Sequence, residues 1–488
     1  MILTNTIAAP ATIPGTGAIS IIRISGSETF SILDKCVKFR NGTASESAGY
    51  TLKYGAVDGI DDVLVSIFRA PHSYTGEDSA EISCHASAYI VSQIMQRLMD
   101  AGAVPAEAGE FTRRAFVNGR MDLSQAEAVA DVIASSNEAS HRVALHQLKG
   151  GISTELQELR SQLVDVTSRM ELELDFSEEE VEFADRKQLT SLLDSALAHI
   201  KKLTESFRLG NAIKNGVPVA IVGATNTGKS TLLNSLLGED RAIVSSVAGT
   251  TRDTIEELFN IDGTSFRFID TAGIRETSDE IESIGIDRTF EKIALADAVI
   301  AVLDATSDAS VLESELRQIA SKINFSKQQL VVVMNKVDLL GKECPVDDLS
   351  WLSDAENCCF EGILVVNKIV TEFNTFVSSA DNKVDIIMLS AKTGFGLDSL
   401  KKSLSERQKS RIADSGTATL VTNARHYNAL CSASRALTLA RSGVLSGTSG
   451  DLVSQDLREA LYHLGTITGA ITTDEVLGNI FSKFCIGK

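Results

Sequence analysis

Gly223-Ala224-Thr225-Asn226-Thr227-Gly228-Lys229-Ser230 fits the pattern G-x-x-x-x-G-K-[ST]. It follows an apolar run, Val219 to Val222, that reads as a strand, and it opens a helical run from Thr231 to Leu237. A strand, a glycine-rich turn and a helix in that order make a phosphate-binding loop. Its glycines let backbone N–H groups wrap phosphate oxygens, and the helix N-terminus adds positive dipole. Lys229 is expected on the β- and γ-phosphates and Ser230 on Mg2+. Asn226, Thr227, Gly228 and Thr231 complete the expected contacts of the loop.

Working outward, Asp270-Thr271-Ala272-Gly273 follows a second strand, Ser265 to Ile269. Asp270 is placed for Mg2+, and the Gly273 N–H for the γ-phosphate. Between the two motifs lies Gly249-Thr250-Thr251-Arg252-Asp253, with Thr251 as the threonine expected to close on Mg2+. Asn335-Lys336-Val337-Asp338 follows a strand from Leu330 to Met334. A carboxylate at Asp338 accepts from both N–H groups on the guanine edge, a donor pair adenine lacks, so it selects GTP. Ser390-Ala391-Lys392 is expected to add a guanine contact through backbone N–H. Asn367-Lys368-Ile369-Val370 repeats the Asn-Lys pair without the aspartate and is read as a decoy.

One position departs from Ras-type proteins. The residue after Gly273 is Ile274, where such proteins carry a water-orienting glutamine. Isoleucine cannot orient water, so another group must serve hydrolysis. Arg275, Glu276, Asp279, Glu280 and Glu282 are the nearby candidates.

The rest of the chain sets this domain among others. Its 488 residues imply about three domains. With 43% hydrophobic and 23% charged residues it has a globular composition. No apolar run reaches the roughly 20 residues that cross a bilayer, and the start does not read as a signal peptide. A cytoplasmic protein with no membrane association is expected. Seven scattered cysteines predict neither disulfides nor zinc. A net charge of −19 argues against gripping nucleic acid by bulk positive charge.

Residues 1–119 read as mixed α/β, with strands at Ala18 to Ser25 and Val63 to Arg69 and a helix from Ala86 to Ala101. Residues 120–214 read as helical. Ile152, Leu156, Leu159, Leu163, Val166 and Met170 form a heptad-like seam. Leu189, Leu192, Leu193, Leu197, Ile200 and Leu203 form a second apolar stripe. Between them Glu171 to Glu182 is acidic and reads as a solvated helix end or loop. From Val217 strands alternate with helices to about residue 408, which argues a parallel sheet. Residues 409–488 are helical again. The fold class is thus multidomain α/β plus all-α: a Ras-like P-loop GTPase domain (215–408) inserted in a discontinuous helical domain, behind a mixed α/β N-terminal domain.

Motifs outside the central domain resemble one family. They are Thr6-Ile7-Ala8-Ala9, Arg23-Ile24-Ser25-Gly26, Ser73-Tyr74-Thr75-Gly76-Glu77-Asp78, Gly109 to Phe116, Asp122 to Ala128, and the terminal Cys485-Ile486-Gly487-Lys488. Together with the GTPase motifs they resemble the MnmE (TrmE) family of tRNA-modification GTPases. The resemblance implies a homodimer joined through N-terminal domains. It implies a flavoprotein partner, MnmG (GidA), in a heterotetramer acting on tRNA. The reaction it implies adds an aminomethyl-type group to C5 of the wobble uridine, the carbon coming from 5-formyl- or methylene-tetrahydrofolate. By the same resemblance, K+ sits on Asn226, Ser245, Val247 and Thr250, in a nucleotide-facing segment Ser245-Ser246-Val247-Ala248-Gly249. Glu282 polarises the attacking water, and Arg275 steadies the switch. Arg23, Glu81, Arg120 and Lys488 are implied for folate, and Cys485 lies near the modification site.

The sequence departs from the family at Asn5, at Ala224-Thr225 and at Ala86-Ser87. The stretch from about 340 to 385 is long for the family and reads as a surface insertion. A ribosome-assembly GTPase of the Era or Der type is the alternative. It predicts a basic RNA-binding appendage, which an acidic chain does not offer.

Overall fold

A computed structural model of the chain describes residues 5–175, 186–239, 257–269, 293–325, 327–340, 361–376, 383–415, 419–482 and 484–487. They divide into two compact units. The first holds Met1–Ala134, Ala144–Glu205 and Ala424–Lys488, and the second holds Ser135–Val143 and Ser206–Asn423.

The first unit begins with β1 (Ile7–Pro10), β2 (Gly17–Ser25), α1 (Thr29–Cys36), β3 (Lys38–Phe39), β4 (Thr51–Val57), β5 (Asp61–Phe68), β6 (Ser79–Ala86), α2 (Ala88–Asp100) and β7 (Val104–Pro105). The strands form one sheet in the order β3-β4-β5-β6-β2-β1-β7, antiparallel except for β1 with β7. Side chains alternate across a strand. In β5 this buries Val63, Val65 and Ile67 and leaves Leu64 outside. The buried set packs with Ile32 and Leu33 of α1 and Ile94 and Leu98 of α2.

Helices follow: α3 (Glu110–Val117), α4 (Leu123–Ala134), α5 (Glu138–Leu148), α6 (Gly151–Asp175) and α7 (Arg186–Asn215). All six residues of the heptad-like seam on α6 are buried. The stripe on α7 needs correction. Leu189, Leu193, Ala196, Ile200 and Leu203 are buried, while Leu192 is exposed and Leu197 intermediate. Steps of three and four residues run from 189 through 193 and 196, so Leu192 falls off the buried face. The end of the acidic stretch lies outside the described residues.

The second unit contains β8 (Val217–Val222), α8 (Lys229–Glu239), β9 (Glu257–Ile261), β10 (Thr264–Phe268), β11 (Ala298–Asp304), α9 (Ala309–Ala320), β12 (Gln329–Asn335), α10 (Glu361–Phe376), β13 (Asp385–Met388) and α11 (Leu397–Ser415). Its sheet runs β13-β12-β11-β8-β10-β9. Two separate buried clusters flank it, one with α8 and α11, the other with α9 and α10. Hence every residue of β8 and β12 is buried, the near-continuous apolar pattern of a sheet covered on both faces.

Two expectations change here. The sheet is mixed, because β9 pairs antiparallel with β10. The Asp262-Gly263 turn between them has both residues at positive φ, +49° and +82°, as a two-residue hairpin requires. The segment expected to be a surface insertion also has a described part, residues 361–376, that packs in the core. Its helix α10 buries Ile363, Val366, Ile369 and Val370 against the sheet. The Asn367-Lys368 decoy lies within that helix.

The chain then returns to the first unit as α12 (Ala424–Ser446), α13 (Gly450–Thr468) and α14 (Asp474–Phe481). Arg425 donates to both oxygens of Glu127 on α4, at 2.9 and 3.1 Å, and His426 pairs with the same carboxylate at 2.8 Å. Arg425 also caps the carbonyls of Thr466 and Ile467 on α13. Burial pushes the Glu127 carboxyl up, but bonds from His426 and Arg425 outweigh it and hold the group at about 2.

Candidate active site

The phosphate loop is shaped by close approach. Gly223 sits at φ +152°, and a Cβ there would lie 2.2 Å from the Val302 carbonyl oxygen of β11. Gly228, at φ +93°, would bring a Cβ to 2.2 Å from Nδ2 of Asn335. Only glycine fits either place without displacing backbone or a buried amide. Asn226 takes a left-handed φ of +63° at the loop tip. Lys229 Nζ donates to the Gly223 and Ala224 carbonyls at 3.0 and 2.5 Å, so the lysine lies over the loop. Ser230 and Thr231 fall in the first turn of α8, where the positive end of the helix dipole favours phosphate. The loop therefore fits a nucleoside triphosphate. Ser230, whose hydroxyl is expected on Mg2+, stands in the first turn of α8 beside this loop.

Asn335 ties phosphate and base loops together. It is buried, donates from Nδ2 to the Thr227 carbonyl at 2.8 Å, and accepts at Oδ1 from the Ala391 N–H at 2.9 Å. Of the Ser390-Ala391-Lys392 run expected to meet guanine through backbone N–H, the Ala391 N–H is thus directed to Asn335. Ser390 Oγ donates to Asp338 Oδ1 at 2.7 Å, which fixes the carboxylate expected from the sequence to read the base edge. Ser235 of α8 holds the Ala391 carbonyl at 2.6 Å. Lys336, at φ +65°, donates to Asp304 Oδ2 at 2.6 Å. Burial pushes the Asp304 carboxyl up, but bonds from Lys336 and Thr306 outweigh this and keep it below the usual carboxylate range.

Asp304 belongs to no motif read from the sequence. It does carry a signal: it ends β11 directly opposite Asn335 in the parallel register. An acid at the carboxyl end of a strand beside the Asn-Lys motif is placed to hold that lysine. Ser245, Ser246, Val247, Ala248, Gly249, Thr250, Thr251, Asp270, Thr271, Ala272, Gly273, Arg275 and Glu282 lie outside the described residues.

A second candidate site lies in the first unit. Arg23 on β2 and Glu81 on β6 are register partners, and the Arg23 guanidinium donates twice to Glu81 Oε1, at 3.1 and 2.8 Å. Its remaining nitrogen donates to the Gly487 carbonyl at 3.3 Å. Tyr74 and Phe111 hold the same guanidinium 5.4 and 5.6 Å from their ring centroids. The chain end is seated here by shape. Ile486 bridges to Ala108, and the Gly109 N–H reaches the Cys485 carbonyl at 3.4 Å. Gly487 sits at φ +93°, where a Cβ would lie 2.2 Å from the Pro10 carbonyl oxygen. Arg120 is exposed, with its stem against Gly76; Cys485 is an exposed free thiol; Lys488 lies outside the described residues.

A buried ion cluster adjoins this site through Ser25, two residues along β2 from Arg23. Arg114, 1% exposed, pairs with Glu110 at 2.9 Å and Glu77 at 3.2 Å and donates to the Asn5 carbonyl at 2.7 Å. Ser25 Oγ adds a bond to Glu77 at 2.8 Å. A buried cation survives only with such full pairing. The two motifs that resemble the family, Ser73 to Asp78 and Gly109 to Phe116, are therefore joined by this cluster.

Comparison with known proteins identifies the family. Residues 123–485 match a family model described as the MnmE helical domain, and residues 6–120 match one described as the GTP-binding protein TrmE N-terminus. A tRNA modification GTPase MnmE of Parabacteroides distasonis is 48% identical over 492 residues, covering 99% of this chain and 100% of that protein. Proteins of the same name in Bacteroides thetaiotaomicron and Christiangramia forsetii are 49% and 47% identical, each covering at least 99% of both chains. With both flanks matched and near-half identity from end to end, this chain belongs to the MnmE family of tRNA modification GTPases.

Proposed function

We propose that this chain hydrolyses GTP in its second unit and uses that cycle to modify the wobble uridine of tRNA at C5. The observation that carries the GTPase reading is the Asn335 bracket. One buried amide joins the phosphate loop at Thr227 to the base loop at Ala391, beside a carboxylate, Asp338, fixed by Ser390. That geometry suits a guanine nucleotide, with a phosphate loop and a base-side carboxylate held on one buried amide. The tRNA role rests on the relatives, which carry the name tRNA modification GTPase across their whole length.

On this reading residues 1–119 bind folate and dimerise, 120–214 and 409–488 are two halves of a helical domain, and 215–408 hydrolyse GTP. Ser230 and Thr251 hold Mg2+. Asn226, Ser245, Val247 and Thr250 hold K+, a charge that would stabilise the transition state where other GTPases insert an arginine. Glu282 orients the attacking water in place of the missing glutamine, and Arg275 steadies its loop. Arg23, Glu81, Arg120 and Lys488 bind a tetrahydrofolate, with Cys485 beside the modified base. A flavoprotein of the MnmG kind is the partner, in the cytoplasm. Dimerisation has a candidate face: Leu52, Tyr54 and Leu64 are 63%, 49% and 43% exposed on adjoining strands β4 and β5. No helix among the described residues is long and apolar enough to cross a membrane.

GTP turnover measured in K+ and in Na+ at equal ionic strength tests the cation. Faster turnover in K+ supports it, and equal rates overturn it. Glu282→Ala should keep nucleotide affinity and lose hydrolysis; normal turnover removes Glu282 from the mechanism.

A further inference from the structure

The Arg23–Glu81 pair is held by an aromatic residue that the folate reading does not include. Tyr74 is partly buried, and its ring lies 5.4 Å from the Arg23 guanidinium carbon. Its hydroxyl is bonded to Thr112 Oγ1 at 2.8 Å, and Thr112 is itself fully buried. The loop carrying Tyr74 is anchored on both sides. Ser73 Oγ donates to the Glu77 carbonyl at 2.5 Å, and Thr75 Oγ1 is bonded to Ser25 Oγ at 2.7 Å. The ring therefore has little freedom, and neither has the cation that rests on it.

That cation decides two things at once. It occupies Oε1 of Glu81 with two donors, while Oε2 has no hydrogen-bond partner among the described residues. It also holds the Gly487 carbonyl, three residues along the tail from Phe484. A ligand with an N–H edge meets Glu81 correctly only when Arg23 keeps the carboxylate turned this way. A guanidinium on an exposed strand of low aromatic cover would sample many rotamers, since arginine gives up substantial side-chain entropy when fixed. A cation–π contact with a ring that cannot move offsets that cost.

We propose that Tyr74 is a positioning residue: through Arg23 it presents the open oxygen of Glu81 to a pterin-like donor edge and locks the chain end over the site. The ligand half of this proposal rests on the folate reading; the chain-end half does not. A one-ring contact of this kind changes affinity by about tenfold when removed from a partly desolvated site.

The test uses the full-length protein and two readouts. Calorimetric titration with 5-formyltetrahydrofolate compares wild type, Tyr74→Phe, Tyr74→Leu, Arg23→Ala and the Arg23→Ala/Tyr74→Leu pair. Hydrogen exchange of the C-terminal peptide, residues 484–487, is followed in the same proteins. The proposal expects Tyr74→Phe to bind nearly as wild type, because the ring remains. Tyr74→Leu should bind about tenfold more weakly, with faster exchange at the chain end. In the Arg23→Ala background Tyr74→Leu should add nothing, since its effect runs through the arginine. Wild-type affinity and exchange in Tyr74→Leu would overturn the proposal, as would full additivity with Arg23→Ala. If wild type does not bind the folate, the folate reading falls, and chain-end exchange alone decides the role of Tyr74. Should Tyr74→Leu not fold, Tyr74→Met keeps the bulk without the ring face.

Discussion

The two candidate sites are built in opposite ways. The nucleotide site is made by backbone: two glycines at forced φ, a helix N-terminus, and one amide, Asn335, that joins loops from neighbouring strands. The site around Arg23 is made by side chains drawn from both ends of the chain: β2, β6, the Tyr74 loop, α3 and the final residues. A backbone site tolerates few substitutions, because each glycine touches a wall. A side-chain site fails by degrees, because its parts share the load.

The sharpest break of that contrast is Gly228→Ala. Its Cβ would meet Asn335 Nδ2 at 2.2 Å, in a φ that alanine avoids. GTP binding, read by fluorescent-nucleotide titration, should fall by at least about a hundredfold. Near-normal affinity would show the loop to be more yielding than its geometry states. Asp338→Asn comes next. A carboxamide presents a donor where guanine also presents donors, so selectivity for GTP over ATP should drop by about tenfold or more in competition binding. Asn335→Ala removes two hydrogen bonds from a buried position. Denaturant unfolding should show a loss of about 1–3 kcal/mol, with weaker nucleotide binding beside it.

On the side-chain half of the molecule the effects are smaller or depend on conditions. Glu127 is held at about 2 against an ordinary 4.5, so its stabilisation is complete above pH 4.5 and is lost as pH falls towards 2. A carboxyl held that far down contributes about 3 kcal/mol as an upper figure. Unfolding midpoints for wild type and Glu127→Gln should therefore converge as pH falls from 5 to 2; a constant gap would remove the ion cluster from the account. Gly487→Ala should disturb only the chain end, where the new methyl would meet the Pro10 carbonyl. Faster exchange at residues 484–487 with unchanged GTP turnover is expected.

The same contrast explains what the sequence disclosed. Residues 223–230 and 335–338 can be read directly, because the motif is the geometry: each glycine and polar group stands at a fixed offset from a strand end. Arg23 and Glu81 cannot be read that way. On composition they are two charges among many, and only pairing across β2 and β6 joins them; the family resemblance, not spacing, points to them. Tyr74 and Gly487 stand inside motifs that mark the family, but their own roles cannot be read there, since their contacts are nonlocal. The hairpin of β9 and β10 escapes a reading based on alternating strands and helices, which favours a parallel sheet, although Asp262-Gly263 marks the turn. Helix α10 looks like an insertion when length is weighed before its apolar spacing, Ile363, Val366, Ile369 and Val370.

That GTP hydrolysis in this chain drives wobble-uridine modification is tested most directly by mass spectrometry of tRNA nucleosides. The cells compared lack the gene and carry either no copy, the wild-type chain or Gly228→Ala. The C5-modified wobble uridine should be absent without the gene, return with the wild-type chain, and stay absent with Gly228→Ala. An unchanged nucleoside profile in the deleted cells, or full restoration by Gly228→Ala, would contradict that link.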